Sequence, residues 1–142
     1  MYTIQTHRGG VRVAKLPTTT KSKKAKGRRL QNWVRDLIGE WWGIDTKTRL
    51  MGEAGDDVYV ENVKWPLYIE CKNCENLNVH KEFAKAKVYA KASSKRNNIK
   101  IPVLIWKKND HLPLVILDVF VFLEVFKNGN PDLQSLMLLP PK

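Results

Sequence analysis

Seven apolar residues between positions 30 and 42 recur at the spacing of one face of an α-helix. They are Leu30, Trp33, Val34, Leu37, Ile38, Trp41 and Trp42. This i, i+3, i+4, i+7 recurrence predicts an amphipathic helix over about residues 28–42 that packs its whole stripe, tryptophans included, against a core and stops at Gly43. Gln31 and Glu40 lie on opposite edges of the stripe, roughly 180° apart at ~100° per residue, so they cannot line the same cleft.

Two apolar runs after this helix have the alternation of β-strands. Residues 57–60 and 67–72 flank a turn region and therefore predict a β-hairpin. Because alternate side chains of a strand point to opposite faces, Glu70 and Lys72 project together, away from the face that carries Cys71. Asp57 can then meet Glu70 and Lys72 from the paired strand.

The remaining pattern completes an α/β chain. Residues 79–93 have helical spacing, residues 102–106 and 114–117 read as strands, and Asp118 is a suitable N-cap for an apolar helix through residue 126. The order of a helix, several strands with a helix inserted, and a final helix predicts a sheet flanked by helices. The final apolar helix fits either a core position or a dimer interface.

Charge divides the chain into two parts. Its net charge is +11, yet residues 1–29 hold nine Lys or Arg and no acid, since the first acidic residue is Asp36. We therefore predict a basic N-terminal arm over residues 1–27, a domain over residues 28–142, and a polyanionic partner. Solubility alone is the simpler explanation. A membrane surface is disfavoured because the arm lacks interleaved Leu, Phe or Trp.

No stretch of the sequence predicts membrane insertion. The longest strictly apolar run, residues 119–123, is far too short to span a bilayer, and the N-terminus has no apolar signal region. We expect a cytoplasmic protein, in the host cytoplasm if the chain is encoded by a phage, with no small-molecule cofactor.

The two cysteines form a CxxC pair, Cys71 and Cys74. A zinc ribbon needs a second pair of ligands, and the three histidines are scattered. A thioredoxin-like dithiol remains an alternative because the pair follows a strand. We interpret Cys71 as a small core residue and Cys74 as incidental.

Asp57, Glu70 and Lys72 are the residue types needed for metal-dependent phosphodiester cleavage. Mg²⁺ prefers oxygen ligands, which Asp57, Glu70 and the Cys71 backbone carbonyl can supply. Lys72 can orient the attacking water or stabilise the developing negative charge. The simpler interpretation is a solvated face on which Glu70 and Lys72 form an ordinary salt bridge.

Residues 55–58 (GDDV) followed by residues 69–73 (IECKN) resemble the PD-(D/E)XK nuclease superfamily, with Asp56 where the motif often has proline. With residues 26–31 (KGRRLQ) and the glycine spacing of residues 51–57, they further resemble small phage-type endonucleases and archaeal Holliday junction resolvases. The resemblance implies a restriction-endonuclease-like αβββαβ core with a mixed sheet of about four or five strands.

The resemblance also implies a homodimeric endonuclease that uses Mg²⁺ or Mn²⁺ on double-stranded or branched DNA. Asp57 and Glu70 would be metal ligands and Lys72 the catalytic lysine. The resolvases carry a metal-binding Glu in the first helix where this chain has Gln31, which could hold water on the metal without bringing a charge.

Basic residues on the arm, the first helix, the segment that leads to Asp57 and the second helix are the candidates for phosphate contacts. These are Lys21, Lys23, Lys24, Lys26, Arg28, Arg29, Arg49, Lys81 and Lys85. The alternatives that remain are a nicking or DNA-processing nuclease without junction preference, a non-catalytic nucleic-acid-binding protein, and a thiol redox protein.

Overall fold

A computed structural model of the chain describes residues 23–50, 52–61 and 64–129. The described elements are α1 (Lys23–Trp42), β1 (Thr46–Thr48), β2 (Val58–Val60), β3 (Leu67–Asn73), α2 (Val79–Ser93), β4 (Ile101–Lys107), β5 (Leu114–Ile116) and α3 (Val119–Gly129). Lys21, most of the predicted arm and the C-terminal end of the predicted domain lie outside these residues, so the boundary between arm and domain stays a prediction.

The five strands form one mixed sheet in the order β1-β2-β3-β4-β5. β3 and β4 are parallel and are joined through α2, whereas the other neighbours are antiparallel. The predicted hairpin is confirmed, with Val58 opposite Ile69. The order of α1, three strands, α2 and β4 is the αβββαβ arrangement of a restriction-endonuclease-like core, so the predicted fold class is confirmed.

The two faces of the sheet are covered by different helices. Leu30 and Val34 of α1 pack on the face that carries Ile69 and Cys71, which confirms Cys71 as a small core residue. The opposite face meets α2, since Lys72 lies 3.7 Å from Glu82 of that helix. The catalytic candidates on β3 therefore project toward α2, away from the main apolar core.

Two local predictions need correction. The first helix begins at Lys23 rather than near Arg28. The earlier start could not be predicted because the residues before Leu30 show no helical apolar period. Contacts distant in sequence hold this first part: the Lys26 ammonium donates to Asn109 Oδ1 at 2.9 Å, and Asn73 donates to the Lys26 carbonyl at 3.1 Å. The three-residue strand β1 went unpredicted because it is too short to show a period and depends on pairing with β2.

The predicted apolar stripe of α1 is buried only in part. Trp33 and Ile38 pack against the core, but Trp41 and Trp42 are 55% and 54% exposed. Trp42 makes an edge-on contact with Trp65, with ring centroids 5.8 Å apart. The prediction that both C-terminal tryptophans are core residues was therefore wrong, and Trp42 lines an apolar cavity that it shares with residues of the sheet and of α3 instead of a filled core.

The last helix, α3, is an apolar helix without a covering layer among the described residues. Its predicted N-cap is confirmed, since the Phe120 N–H donates to Asp118 Oδ1 at 3.0 Å. Six of its large side chains are exposed, from 39% at Phe126 to 74% at Phe120, and Val121 is half-buried, so most of the helix has no core position within the described chain. An apolar cavity of about 620 Å³ separates Val121 and Val125 from the stripe of α1. No helix within the described ranges is long and apolar enough to cross a membrane.

Leu30 is 1% exposed and belongs to the core cluster between α1 and the sheet, so Leu30→Ala leaves a cavity between two layers. We expect it to lower the free energy of unfolding by about 2–5 kcal/mol. Urea unfolding followed by circular dichroism measures the change.

The matched control is Leu50→Ala, because Leu50 is 65% exposed. This variant should change the free energy of unfolding by less than about 0.5 kcal/mol. Equal losses in the two variants would contradict the packing of α1 on the sheet.

Candidate active site

Asp57 is fixed against β3 by its own backbone and by its carboxylate. Its N–H donates to the Ile69 carbonyl at 2.7 Å, and its Oδ2 accepts the Cys71 N–H at 2.7 Å. Ile69 and Cys71 are alternate residues of β3, so these bonds hold the Asp57 carboxylate beside Glu70, the residue between them.

Gln31 reaches the same carboxylate from α1. Its Nε2 donates to Asp57 Oδ1 at 2.7 Å. Its Oε1 is buried and finds no hydrogen-bond partner among the described residues. A buried acceptor without a donor is costly, so this oxygen is available to a group that the site admits. The structure thus places Gln31 in the site, while Glu40 lies exposed on the other edge of the helix.

Glu70 and Lys72 project together from β3, as the strand alternation predicts. Lys72 Nζ lies 2.8 Å from Glu70 Oε1 and 3.7 Å from Glu82 Oε2, and Glu82 also pairs with Lys85 at 3.0 Å. Lys72 is therefore held between an acid of its own strand and an acid of α2.

Glu82 is a site residue that the sequence analysis missed. A signal was present: Glu82 precedes the buried residues Ala86 and Ala90 by four and eight positions, which puts it on the face of α2 that meets the sheet. An acid on the inward face of a helix needs a cationic partner, and Lys72 is that partner.

The electrostatics of the site disfavour an ionised Asp57. Burial raises the pKa of Asp57 from 3.8 to about 6, and the negative charge of Glu70 adds to the effect, although the Cys71 N–H and Lys72 oppose it. Burial alone would lower the pKa of Lys72, but its hydrogen bond and charge attraction to Glu70 outweigh burial and raise that pKa. Lys72 thus remains an ammonium at neutral pH.

The donor set fits a hard divalent cation. Asp57 and Glu70 supply carboxylate oxygens, and the unpaired Gln31 Oε1 adds a neutral oxygen beside Asp57. Mg²⁺ is commonly held by one or two carboxylates together with water, so two acids suffice. No cluster of three or more His, Cys, Asp or Glu side chains with metal-binding geometry occurs within the described residues. The cation would accordingly be held with one fewer charge than a three-carboxylate site provides.

Asp56, the neighbour of Asp57, belongs to a brace rather than to the site. It is 5% exposed and pairs with Arg49, whose Nη2 lies 3.0 Å from Asp56 Oδ1. The Arg49 guanidinium also stacks over the ring of Tyr59 at 4.3 Å. A side chain at Gly55, where φ is +124°, would collide with that guanidinium. The Arg49 brace, which consists of Arg49, Asp56, Tyr59 and Gly55, thus fixes the loop that delivers Asp57.

The predicted DNA-binding residues fall into two groups. Three are exposed near the ends of the helices that flank the site, Lys23 and Lys24 on α1 and Lys81 on α2. The others are engaged or half-buried: Lys26 with Asn109, Arg28 with the Arg49 carbonyl at 2.6 Å, Arg49 in its brace, Lys85 with Glu82, and Arg29 half-buried in α1.

The cysteine pair does not form a disulfide, and both cysteines are free. Burial raises the pKa of the Cys71 thiol well above its ordinary value, and the charges of Asp57 and Glu70 act in the same direction. A thiol held protonated in this way is a poor nucleophile and a poor metal ligand. This finding disfavours the redox alternative.

Residues 22–133 match the model of the family described as "Phage putative PDDEXK endonuclease". Neither the curated proteins nor the solved structures include a match to the chain. The family match covers α1, the whole sheet and α2, so it contains Gln31, Asp57, Glu70 and Lys72.

The buried Asp57 predicts a dependence of stability on pH in protein kept free of metal with EDTA. Because the folded-state pKa of about 6 exceeds the unfolded value of 3.8, the folded protein binds this proton more tightly. The cost of the ionised carboxylate is absent below pH 4, grows as the pH rises, and is complete above pH 6. Asp57→Asn should therefore gain stability over wild type as the pH rises from 4 to 7, by about 1–3 kcal/mol after allowance for partial exposure.

Urea unfolding of both proteins across this pH range measures the difference. Glu40→Gln is the matched control, since it removes an exposed carboxylate on the opposite edge of α1. A difference between wild type and Asp57→Asn that stays constant from pH 4 to pH 7 would refute the argument from burial.

Proposed function

The chain belongs to the family of phage PDDEXK endonucleases, and from this premise we propose that it is an Mg²⁺- or Mn²⁺-dependent endonuclease that hydrolyses phosphodiesters of DNA. PD-(D/E)XK nucleases generally use divalent metals. The observation that carries the proposal is the convergence of Gln31, Asp57, Glu70 and Lys72 from α1, the segment before β2, and β3.

Each residue has a role that follows from its contacts. Asp57 and Glu70 would hold the cation, with the Cys71 backbone carbonyl as a third oxygen donor and Gln31 Oε1 beside them. A bound divalent cation supplies charge neutralisation at the phosphate and a more acidic water. Lys72 keeps its proton and aims an ammonium at the negative charge that develops on the phosphate or at the attacking water.

DNA would be held mainly through its phosphates. The exposed residues Lys23, Lys24 and Lys81 lie on the two helices that flank the sheet, and the sequence before Lys23 is itself basic, so binding should weaken steeply as salt rises. A preference for branched DNA is the finer part of the proposal and rests on the resemblance to archaeal Holliday junction resolvases. A nicking or processing nuclease without junction preference fits the same four residues.

The proposed enzyme acts as a homodimer whose partner copy covers α3. The support is the row of exposed apolar side chains on α3 and β5, among them Phe120, Leu123 and Val115. Contiguous apolar patches of this kind are uncommon on monomers and mark interaction surfaces. Two copies of one active site also suit cleavage of the two strands of a duplex or junction.

Substitution of the site residues should separate cleavage from binding. Asp57→Asn, Glu70→Gln and Lys72→Met are each expected to lower the cleavage rate by about 10²–10³-fold or more, because each removes a ligand or the cation at the phosphate. DNA affinity in EDTA should be retained, or rise for Asp57→Asn, since a negative charge that faces phosphate is lost. Labelled linear, flapped and four-way DNA incubated with Mg²⁺, Mn²⁺ or EDTA provides the assay.

Glu40→Gln is again the control, because Glu40 lies on the far edge of α1 and should be cleavage-neutral. A thermal shift on addition of Mg²⁺ that is lost in Asp57→Asn and Glu70→Gln gives a readout independent of activity. Full DNA binding with no cleavage of any substrate by wild type would favour the non-catalytic nucleic-acid-binding alternative instead.

The dimer proposal predicts a change of mass in solution. Phe120→Lys places a charge at the most exposed aromatic residue of α3 and should convert a wild-type dimer into a monomer at low micromolar concentration. Sedimentation equilibrium measures the mass, and Leu50→Lys, at an exposed position outside the patch, should remain dimeric. A monomeric wild type, or a Phe120→Lys variant that stays dimeric, contradicts this interface.

A further inference from the structure

A second concave site lies beside the candidate active site and has no part in the chemistry described so far. It is a cavity of about 300 Å³ at the end of β4 and the start of β5. Its lining consists of Trp106, Lys108, His111, Leu112 and Leu114. We call it the Trp106 pocket. It combines an aromatic ring and two leucines with two basic side chains.

The register of the sheet puts this pocket next to the catalytic lysine. Trp106 of β4 pairs with Lys72 of β3 in the parallel ladder and with Leu114 of β5 in the antiparallel ladder. Directly paired residues project from the same face, so Trp106 and Lys72 stand side by side, about 4.8 Å apart in strand spacing. The Trp106 pocket and the candidate active site therefore share one face and one end of the sheet.

The ring of Trp106 is held in place rather than packed away. Its Nε1 donates to the Cys74 carbonyl at 2.9 Å, which satisfies the polar group and fixes the plane of the ring. The indole itself remains only half-buried. An ordered, accessible aromatic face costs little entropy when a flat ligand stacks on it.

The loop that closes the Trp106 pocket is also braced. The Asn109 N–H donates to Glu75 at 2.7 Å, and its side-chain oxygen accepts from Lys26 at 2.9 Å, so β3, α1 and the loop are tied together. Asp110 adopts a positive φ of 56°, a conformation that non-glycine residues rarely take without such support. His111 donates through Nδ1 to the Asn109 carbonyl at 2.6 Å, which sets the direction of its ring.

We propose that the Trp106 pocket binds one unpaired nucleobase of the DNA substrate, stacked on Trp106, with the adjacent phosphate held by Lys108. This inference rests on the proposed nuclease function and specifies its substrate class as DNA that presents an unpaired nucleotide beside the scissile phosphate. The chemistry is that of single-strand binding sites, where an aromatic platform lies within a cationic groove.

The charges around the pocket favour a nucleotide over an apolar ligand or a peptide. Lys108 and His111 line it, and Lys26 approaches the same loop through Asn109. The two lysines would repel a basic partner and attract a phosphate, whereas the leucines and the indole receive a base. A fully paired duplex keeps its bases stacked, so it can fill the pocket only if a base leaves the helix, which costs free energy.

The test is a binding comparison in EDTA, where no cleavage can occur. One duplex carries a single unpaired 2-aminopurine, and a second duplex carries the same base paired. Wild type should bind the first duplex more tightly and change its fluorescence through stacking on Trp106. Trp106→Leu should weaken binding of the bulged duplex by roughly 5- to 100-fold and leave the paired duplex within about twofold. Trp106→Phe should keep most of the preference because it retains a ring.

A second variant keeps the test decisive if Trp106→Leu does not fold. Leu112→Glu places a negative charge at an exposed rim position, and it should lower affinity for the bulged duplex by about tenfold or more. Ile99→Glu is the matched control, since Ile99 is also exposed, at 72% against 51% for Leu112, but precedes β4 at the opposite end of the strand. It should leave the preference intact.

Two results would overturn the proposal. One is equal affinity of wild type for the bulged and paired duplexes. The other is a Trp106→Leu or Leu112→Glu variant that binds the bulged duplex as tightly as wild type, or that loses affinity for both duplexes alike. Failure of the nuclease proposal is distinguishable, because a protein that discriminates the bulged duplex in EDTA yet cuts nothing with Mg²⁺ keeps the pocket and loses the activity. A protein that cuts DNA with Mg²⁺ but binds the two duplexes equally keeps the activity and loses the pocket.

Discussion

The site depends on the two hydrogen bonds that the Asp57 carboxylate accepts. Oδ2 takes the Cys71 N–H of β3, and Oδ1 takes the Gln31 amide of α1, so one side chain connects a helix residue 26 positions away and a strand residue 14 positions away in the chain. The bond to Cys71 uses a backbone donor, which no substitution at position 71 other than proline would remove. The backbone of β3 thus fixes the position of Asp57. Of the two donors, only Gln31 uses a side chain that a substitution would remove.

Three acids and one lysine meet at this point, and their balance leaves the acids with too little positive charge. Asp57 is desolvated beside Glu70, and Lys72 already divides its charge between Glu70 and Glu82. Because the ammonium of Lys72 pairs with two other acids, Asp57 has no cationic partner of its own among the described residues. Burial and this deficit both raise the pKa of Asp57, and a divalent cation at the proposed site would offset them. A neutral Gln31 makes the deficit smaller than a further carboxylate at that position would.

Most of this arrangement could be predicted from the sequence because strand alternation is a local rule. The period of two places Glu70 and Lys72 together, and the hairpin brings Asp57 to them, whatever the rest of the fold does. The helix from Lys23 to Gly27 could not be predicted, since no apolar residue marks it and its support comes from Asn73 and Asn109 far along the chain. Trp41 and Trp42 followed the helical period correctly, but the period does not reveal which part of an apolar stripe other elements of the fold cover.

The Arg49 brace shows why a departure from a motif need not weaken it. Proline before the first catalytic acid restricts the backbone through its ring, whereas Asp56 has no such restriction. Here the restriction comes from outside the residue: Asp56 is buried against Arg49, Arg49 is stacked on Tyr59, and Gly55 leaves the space that the guanidinium fills. A charged residue is tolerated at this buried position only because its partner is supplied seven residues earlier. The same pairing that holds the loop also occupies Arg49, so the structure gives this arginine a bracing role apart from the phosphate contact that its sequence position suggests. The loop before Asp57 is thereby held by contacts between neighbouring elements. Because the loop is held, Asp57 can form a site with Glu70 and Lys72 although it lies thirteen positions before Glu70.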